Sequence, residues 1–342
     1  MIEHGLIEHG GALDRAVARF GGARGDWLDL STGINPEAFP LPEIAPEVWN
    51  RLPDEALLGQ ALVAARGYYG VSDGAGIVAA PGTQALIQIV PELVEPGEVA
   101  VLSPTYQEHQ AAFARAGWAV MPCPDVGSIP ATAKAAVVVN PNNPDGRIVP
   151  GDELLALAER LQRRGGFLVV DEAFADTSPE TSIAAQAGGD NLIVLKSFGK
   201  FFGLAGLRLG FAISGAGIAQ ELAKRLGPWA VSGPALAIAS HAFLGSSPGM
   251  TGPVLDGFRK RIFARRAALS AIFKRTGMEE IGGTALFALV RHPEAHGLHE
   301  QLCRRRILVR KFDYAPDWLR IGLAGNEAGF ERLEQALTDV HR

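Results

Sequence analysis

The sequence predicts an α/β protein whose mostly parallel central sheet is covered by helices on both faces and is followed by a small C-terminal α+β domain. Short segments such as Val137–Val139 and Phe167–Val170 are uniformly apolar, which is typical of strands buried on both faces. Segments with helical periodicity alternate with these strands, as crossover connections between parallel strands require. After Pro234 this alternation gives way to one long helix followed by shorter elements, which indicates a second domain.

The elements predicted for the central sheet run from residue 57 to residue 226. Apolar segments predict strands at 77–80, 99–102, 118–121, 136–140, 167–171, 192–195 and 207–213. Apolar residues at helical spacing predict helices at 57–69, 83–94, 106–116, 151–164 and 216–226. Strands and helices therefore alternate through this region, which favours a parallel sheet.

The two ends of the chain have a different character. The C-terminal region is predicted to contain helices at 253–275, 295–304 and 326–340, and strands at 285–290, 307–310 and 319–323. Residues 1–50 are rich in Gly and Pro and show little helical periodicity, so an extended arm is expected there. The predicted organisation is an arm over 1–50, a large domain over 51–235 and a small domain over 236–342.

The composition bounds the kinds of function that the chain can have. Its 342 residues are 47% hydrophobic and 20% charged, with a net charge of −5. That length allows two domains, and that charge gives no indication of a nucleic-acid or membrane partner. The two cysteines imply no disulfide framework and suit a reducing compartment. No signal peptide or membrane-length apolar stretch is recognisable, so a cytoplasmic location is expected.

Polar residues gather at the predicted carboxyl ends of strands, where open α/β sheets bind their ligands. Gly82 and Thr83 open a helix whose first N–H groups suit a phosphate, although the same pair is also an ordinary helix cap. Asn143 lies in the segment Asn140–Gly146. A ligand-binding loop and a simple turn are equally good interpretations of this segment. Asp171 ends an apolar strand, where a carboxylate needs a partner.

The most informative motif is Ser197-Phe-Gly-Lys200, which is followed by Gly-rich turns and by Arg208. A lysine with a hydroxyl three residues before it and an arginine eight residues after it suits a covalent bond to an aldehyde cofactor beside a bound phosphate. For an isolated motif, a glycine-rich loop with two solvated cations would be a competing interpretation.

The motifs together resemble those of the fold-type I pyridoxal-phosphate enzymes, which are class I/II aminotransferase-like. The most similar branch is that of histidinol-phosphate aminotransferases and threonine-phosphate decarboxylases. The resemblance covers nearly the whole chain and rests on four motifs in order: Pro141-Asn-Asn-Pro-Asp-Gly146, Asp171-Glu-Ala-Phe174, Ser197-Phe-Gly-Lys200 with Arg208, and Leu319-Arg-Ile321. It implies the type I transferase fold and pyridoxal 5′-phosphate as cofactor.

The resemblance also implies roles for the residues that contact the cofactor ring. Lys200 bonds the cofactor and moves protons at the substrate Cα, Asp171 pairs with the pyridine nitrogen, and Asn143 donates to the ring oxygen. Tyr106 is placed to stack on the ring, although an aromatic residue that packs on the core at a helix start is nearly as good an interpretation.

The cofactor phosphate and the substrate carboxylate have their own implied ligands. The resemblance assigns the phosphate to Ser197, Arg208 and the amides of Gly82 and Thr83, since an arginine can bind it with two parallel hydrogen bonds. It assigns the α-carboxylate of the substrate to Arg320. No metal ligand is among these residues.

Further residues favour a decarboxylase of phosphothreonine, acting in cobalamin biosynthesis, over an aminotransferase. His9 and Gly10 resemble the His-Gly-Gly opening of that family, in which the histidine lies near the substrate phosphate, and Arg310 matches its phosphate-binding arginine. Asn35, with Asn143, is placed to contact substrate, and Phe174 stands where many aminotransferases have tyrosine.

Several of these assignments have ordinary alternatives. A loose solvated residue is the preferred interpretation of His9 on the sequence alone, and His4 competes with it. A turn residue is the alternative for Asn35, and a basic residue such as Arg310 is common at a strand end. A histidinol-phosphate-type aminotransferase and an inactive cofactor-binding homologue therefore remain as alternatives.

Three positions depart from the family pattern. Leu52 replaces a tyrosine that reaches the cofactor phosphate of the partner subunit, Gly199 replaces a hydroxyl residue before the lysine, and Asp145 replaces a threonine. The resemblance further implies a homodimer and a small phosphorylated amino acid as substrate.

Overall fold

The computed structural model of the protein describes residues 9–244 and 253–340, so His4 lies outside the described residues. The helices are α1 Leu13–Phe20, α2 Pro46–Asn50, α3 Glu55–Tyr69, α4 Thr83–Ile89, α5 Glu108–Arg115, α6 Gly151–Gln162, α7 Phe198–Phe201, α8 Ala216–Leu226, α9 Gly233–Leu244, α10 Pro253–Thr276, α11 Ala295–Arg304 and α12 Glu327–Val340. The strands are β1 Leu28–Asp29, β2 Ala75–Ala80, β3 Glu98–Leu102, β4 Ala119–Cys123, β5 Ala135–Val139, β6 Phe167–Asp171, β7 Leu192–Ser197, β8 Gly210–Gly215, β9 Glu279–Thr284, β10 Phe287–Arg291, β11 Ile307–Leu308, β12 Arg310–Phe312 and β13 Ala315–Gly322.

The described residues fall into two compact units. The larger lies within residues 38–143 and 147–258, and the smaller lies within residues 1–37, 144–146 and 259–342. The smaller unit therefore takes its residues from both ends of the chain and from one short loop between them.

The larger unit is built on a seven-stranded sheet in the order β2-β8-β7-β6-β5-β3-β4. All neighbouring pairs from β7 to β4 are parallel, and only β8 runs antiparallel to both of its neighbours. Every residue of β5 and β6 is buried, which explains their uniformly apolar sequences up to Asp171. The α/β class with a mostly parallel sheet is thus confirmed.

The smaller unit contains a four-stranded antiparallel sheet in the order β12-β13-β10-β9 and a parallel pair, β1 and β11. A separate apolar cluster forms around Trp27, with Leu13 and Ala16 from α1, Cys303 from α11 and Leu308 from β11. This α+β arrangement agrees with the change of pattern that the sequence shows after Pro234.

The expectation of an extended arm over residues 1–50 is wrong at residues 13–20 and 46–50, which are helical. Residues 13–20 form α1, because Leu13, Ala16, Val17 and Phe20 follow helical spacing and pack on the apolar cluster around Trp27. The strand predicted at 207–213 begins only at Gly210, because residues 205–207 form a helical turn and Arg208 adopts a φ of +52°.

Cys123 and Cys303 are both free and buried. Across residues 9–244 and 253–340 there is no group of side chains arranged to hold a metal ion. Over the same ranges no helix has both the length and the apolar character needed to cross a membrane.

Candidate active site

The carboxyl ends of β5, β6 and β7 bring three of the predicted cofactor residues to one edge of the larger unit. These strands are parallel neighbours in register, with Val139 beside Asp171 and Asp171 beside Leu195. Asn143 follows β5, Asp171 ends β6 and Ser197 ends β7. Because parallel strands end at the same edge, the sheet itself gathers these polar side chains.

The carboxylate of Asp171 is held by two groups. The residue is only 3% exposed. Its Oδ1 accepts a hydrogen bond from the Ala173 N–H at 3.0 Å, and its Oδ2 lies 2.9 Å from Nε2 of His109 on α5. A carboxylate can only accept, so Nε2 carries the shared proton. His109 is absent from the predicted residues, because nothing in its local sequence indicates a contact with a strand 62 residues away.

Lys200 lies on α7, the short helix that follows β7. Its Nζ is 6.0 Å from the centroid of the Phe174 ring. Buried phenyl rings anchor the helix, with Phe198 stacked on Phe202 at 4.4 Å. A Cβ atom at Gly199 would stand 2.6 Å from the Cα of Ala205, which explains why glycine stands before the lysine.

The predicted phosphate ligands meet at the ends of three adjacent strands. Gly210 on β8 is in register with Ala80 on one side and with Ser197 on the other. Gly82 has a φ of +81°, and a Cβ atom there would lie 2.7 Å from Nη2 of Arg208. The close approach of Arg208 requires glycine at position 82. The guanidinium of Arg208 therefore lies against the start of α4.

Tyr106 precedes α5 and packs against the core of the larger unit. Its hydroxyl donates to Oε1 of Gln84 at 3.2 Å, and the Gln84 amide donates to Oε2 of buried Glu108 at 2.7 Å. The core-packing interpretation therefore holds for part of the ring, while stacking on the cofactor stays a prediction. No role was predicted for Gln84, which accepts from the tyrosine hydroxyl, or for Glu108, which accepts from the Gln84 amide.

The predicted substrate residues Arg310 and Arg320 lie in the smaller unit. They are directly opposite each other on the antiparallel strands β12 and β13. Opposed residues of an antiparallel pair project from the same face with Cβ atoms about 4.5–5.5 Å apart, and like charges there destabilise the sheet. Two arginines at directly opposed positions are therefore a costly arrangement that an anionic ligand would compensate.

A cavity of about 120 Å³ lies in the same unit, lined by Arg310 with His9 and Ser31. Three further cations, Arg15, Arg19 and Lys311, also line it. Asn35 does not line this cavity; its side chain is buried and accepts a hydrogen bond from the Glu37 N–H at 3.1 Å, as a turn residue does.

Two other residues near the arginines were missed by sequence reasoning. Tyr314 sits at the turn between β12 and β13. Loss of water around its hydroxyl raises the pKa of Tyr314 to about 12, although Arg310 and Arg320 oppose that shift. Burial likewise raises the pKa of the Cys303 thiol to about 11, so this cavity residue is no nucleophile at neutral pH.

Comparison with known proteins places the chain in a family. The profile described as aminotransferase class I and II matches residues 47–337. The chain belongs to the class I and II aminotransferase family. Within this family, a threonine-phosphate decarboxylase of Sinorhizobium sp is 47% identical over 97% of both chains. A threonine-phosphate decarboxylase of Pseudomonas aeruginosa is 43% identical over 97% of both chains.

Solved structures of the family share the fold. The histidinol-phosphate aminotransferase of Sinorhizobium meliloti, solved with pyridoxal 5′-phosphate, matches with a TM-score of 0.81 at 22% identity, over 99% of this chain and 96% of that one. The L-threonine-O-3-phosphate decarboxylase of Porphyromonas gingivalis matches with a TM-score of 0.74 at 20% identity, over 92% of this chain and 98% of that one.

The residues of the larger unit fit pyridoxal 5′-phosphate. A buried carboxylate with an N–H partner on each oxygen is suited to hold a protonated ring nitrogen. Because Gly82 has no side chain, the guanidinium of Arg208 comes close to the first amides of α4, and these are two kinds of donor that suit a phosphate. Leu52 is 67% exposed and has no donor group, so no tyrosine-like phosphate contact comes from this position.

Proposed function

We propose that the protein is a pyridoxal-phosphate-dependent threonine-phosphate decarboxylase, which converts O-phospho-L-threonine to (R)-1-aminopropan-2-yl phosphate and CO₂ in cobalamin biosynthesis. The identity of 47% over nearly the full length of a named decarboxylase supports the reaction. The observation that carries the substrate assignment is the Arg310–Arg320 pair, since O-phosphothreonine bears both a carboxylate and a phosphate.

In this proposal the smaller unit binds the two anionic groups of the substrate. Arg320 holds the α-carboxylate, and Arg310 holds the phosphate with His9 at the same cavity. Arg15 and Lys311 add positive charge to the cavity lining, which favours a dianionic phosphate over a neutral hydroxyl. Gly10, Asn35 and Asn143 complete the predicted substrate contacts.

The larger unit holds the cofactor and moves the proton. Pyridoxal phosphate, when bound, supplies the electron sink that lets the α-carbon of an amino acid lose CO₂. Asp171 keeps the ring nitrogen protonated, and His109 fixes the carboxylate for that purpose. Lys200 then delivers a proton to Cα from its Nζ.

Phe174 contributes to the same region by having no polar group. Its buried ring faces Lys200, so it excludes water beside the lysine and donates nothing to the cofactor oxygen. Asn143 is left as the donor predicted for that oxygen.

The proposed function is tested by incubating the cofactor-loaded protein with O-phospho-L-threonine and measuring CO₂. Release without any added 2-oxo acid is expected, and Lys200→Ala should abolish both the release and the visible absorbance of the lysine-bound cofactor. Strict dependence on 2-oxoglutarate would overturn the proposal in favour of a histidinol-phosphate-type aminotransferase. Cofactor absorbance without turnover of any amino acid would favour an inactive homologue.

We also propose that the protein works as a cytoplasmic homodimer. Trp49, Leu52 and Trp229 expose 65%, 67% and 61% of their surface. Trp49 lies on α2, where the Val48 carbonyl closely approaches Gly233 at the start of α9, and Trp229 precedes that start by four residues. Exposed aromatic residues of this kind mark interfaces. The free, buried cysteines suit a reducing compartment.

A further inference from the structure

Ser31 contacts Arg320 and the segment of residues 9–11, which is called the arm below, at the same time. Its hydroxyl accepts a hydrogen bond from the Gly11 N–H at 2.7 Å. Its backbone carbonyl accepts one from Nη2 of Arg320, also at 2.7 Å. Ser31 is 2% exposed and Arg320 is 8% exposed, so water does not compete for either bond.

Asp29 determines which way the Ser31 hydroxyl points. Oδ1 of Asp29 accepts both the Ser31 N–H at 2.9 Å and the Ser31 hydroxyl at 2.6 Å. A hydroxyl has one proton, so once that proton is given to Asp29, only lone pairs remain for Gly11. Asp29 therefore fixes Ser31 as the acceptor for the arm.

The backbone around Ser31 has little freedom to move. The Leu30 N–H donates to the Leu308 carbonyl, and the Leu30 carbonyl accepts from the Gly322 N–H, each at 2.7 Å. On the arm side, a Cβ atom at Gly10 would lie 2.2 Å from the Ser31 carbonyl oxygen and 3.3 Å from Nη2 of Arg320. The arm, Ser31 and Arg320 are thus in close contact, with no room for a side chain at Gly10.

The arm leads directly to the cavity. His9 immediately precedes Gly10, and both His9 and Ser31 line the cavity that Arg310 also lines. A change in the position of Gly11 therefore changes the position of His9 relative to Arg310. The hydroxyl of Ser31 holds this geometry, while its carbonyl orients Arg320.

We propose that Ser31 is a positioning residue, held by Asp29, that couples recognition of the substrate phosphate by the arm to the grip of Arg320 on the α-carboxylate. The inference rests on the proposed function, because both substrate groups are assigned there. The proposal also gives a reason for substrate selectivity. The groups that bind the phosphate and the α-carboxylate of the substrate are both held by one serine.

The first test is the variant Ser31→Ala, which removes the hydroxyl and keeps the carbonyl. Loss of one buried hydrogen bond to the arm should raise KM for O-phosphothreonine about tenfold while kcat stays within about twofold. Ser240→Ala, which removes a buried hydroxyl bonded to Leu236 in α9, is the matched control and should leave KM unchanged. An unchanged KM in Ser31→Ala would overturn the proposal.

A double-mutant cycle separates positioning from general destabilisation. If Ser31 acts through His9, then Ser31→Ala should have little further effect on KM in a His9→Ala background. Independent, multiplicative losses would contradict the coupling. Asp29→Asn keeps an acceptor oxygen and should retain the KM of the unsubstituted protein, whereas Asp29→Ala should resemble Ser31→Ala.

Hydrogen exchange of the ligand-free protein tests the same contact without any substrate. The Gly11 amide should exchange faster in Ser31→Ala than in the unsubstituted protein, and equally fast exchange in both would contradict the proposal. Failure of the unsubstituted protein to release CO₂ from O-phosphothreonine would instead refute the proposed function. The two failures are therefore distinguishable.

Discussion

The buried carboxylate of Asp171 depends on a side chain from a distant helix. Of its two hydrogen-bond partners, the Ala173 N–H is local, but His109 comes from α5. A buried carboxylate that loses a partner has an uncompensated cost, because its charge is left partly unsolvated. His109 is thus the residue whose loss most directly disturbs the predicted partner of the cofactor ring.

Substituting His109→Ala should weaken cofactor binding. A hydrogen bond to a charged group contributes about 1.5–3 kcal/mol, which corresponds to roughly 10- to 150-fold in the dissociation constant of pyridoxal phosphate. Titration of the cofactor-free protein, followed by visible absorbance, measures this change. Gln110→Ala is the control, since Gln110 lies on the same helix but donates to Ser103. Equal affinities in the two variants would contradict the role given to His109.

At the scale of elements, β6 and β7 place different chemistry on their two faces. Consecutive residues of a strand point to opposite sides of the sheet. Asp171 and Ser197 are predicted cofactor ligands, and their neighbours Glu172 and Lys196 form a buried ion pair with 2.7 Å between Nζ and Oε2. This pair joins the same two strand ends that carry the predicted cofactor ligands.

Removing the charge of one partner in this ion pair should strongly destabilise the folded protein. Glu172→Gln leaves the buried Lys196 charge without its main partner and should lower the free energy of unfolding by about 3–5 kcal/mol. Replacing both residues with apolar ones, as in Glu172→Leu with Lys196→Met, should cost much less or nothing. Chemical denaturation measures both changes, and a double variant less stable than Glu172→Gln would contradict this account.

The contribution of this ion pair to the unfolding free energy should also depend on pH in a defined way. Burial alone would lower the pKa of Lys196, but Glu172 and Asp176 outweigh burial and raise it above its ordinary value of 10.5. A raised lysine pKa gives stability that is complete below that ordinary value and is lost as pH rises through the folded-state pKa. The difference in unfolding free energy between the unsubstituted protein and the double variant should therefore be constant from about pH 7 to pH 9. A steady decline over that range would show that Lys196 loses its proton early.

The sequence predicts the elements with the strongest local patterns. The apolar segment ending at Asp171 and the lysine motif at Lys200 are visible because strand alternation and residue spacing are local properties. Helix α9 was missed because its sequence is apolar on nearly all sides, and β9 because it contains two glycines and is only half-buried. His109 and Gln84 could not be found for another reason, because their hydrogen-bond partners are distant in sequence and no spacing rule connects them. Arg15 was missed because it lines a cavity with Arg310, which is also distant in sequence.

At the scale of the whole molecule, the predicted residues sort by unit. Those expected to hold the cofactor lie in the larger unit, and His9, Asn35, Arg310 and Arg320 lie in the smaller one. The predicted substrate residues of the smaller unit come from residues 9 to 35 and from residues 310 to 320. The amino-terminal segment therefore belongs to the unit that is proposed to bind the substrate anions, which its composition alone did not reveal.

The proposed dimer should depend on the exposed apolar residues near α2. Trp49→Asp places a carboxylate where an aromatic side chain is expected to be buried by the partner, so the dimer dissociation constant should rise about 30-fold or more. Sedimentation velocity over a dilution series measures this constant. Ile148→Asp is the control, because Ile148 is also an exposed apolar residue but lies away from α2 and α9 in sequence. An unchanged dimer in Trp49→Asp would show that this surface is not the interface.

The register of β12 and β13 sets where the side chains of Arg310 and Arg320 begin. Backbone hydrogen bonds of the sheet fix the separation of their Cα atoms, while each guanidinium stands at the end of a flexible side chain. In the proposed function, the carboxylate and the phosphate of the substrate must therefore fall within the range of spacings that these two side chains can span. We expect a phosphorylated amino acid whose charges are much closer together or farther apart to bind less tightly, so the hairpin would select substrates by the distance between their charges as well as by the charges themselves.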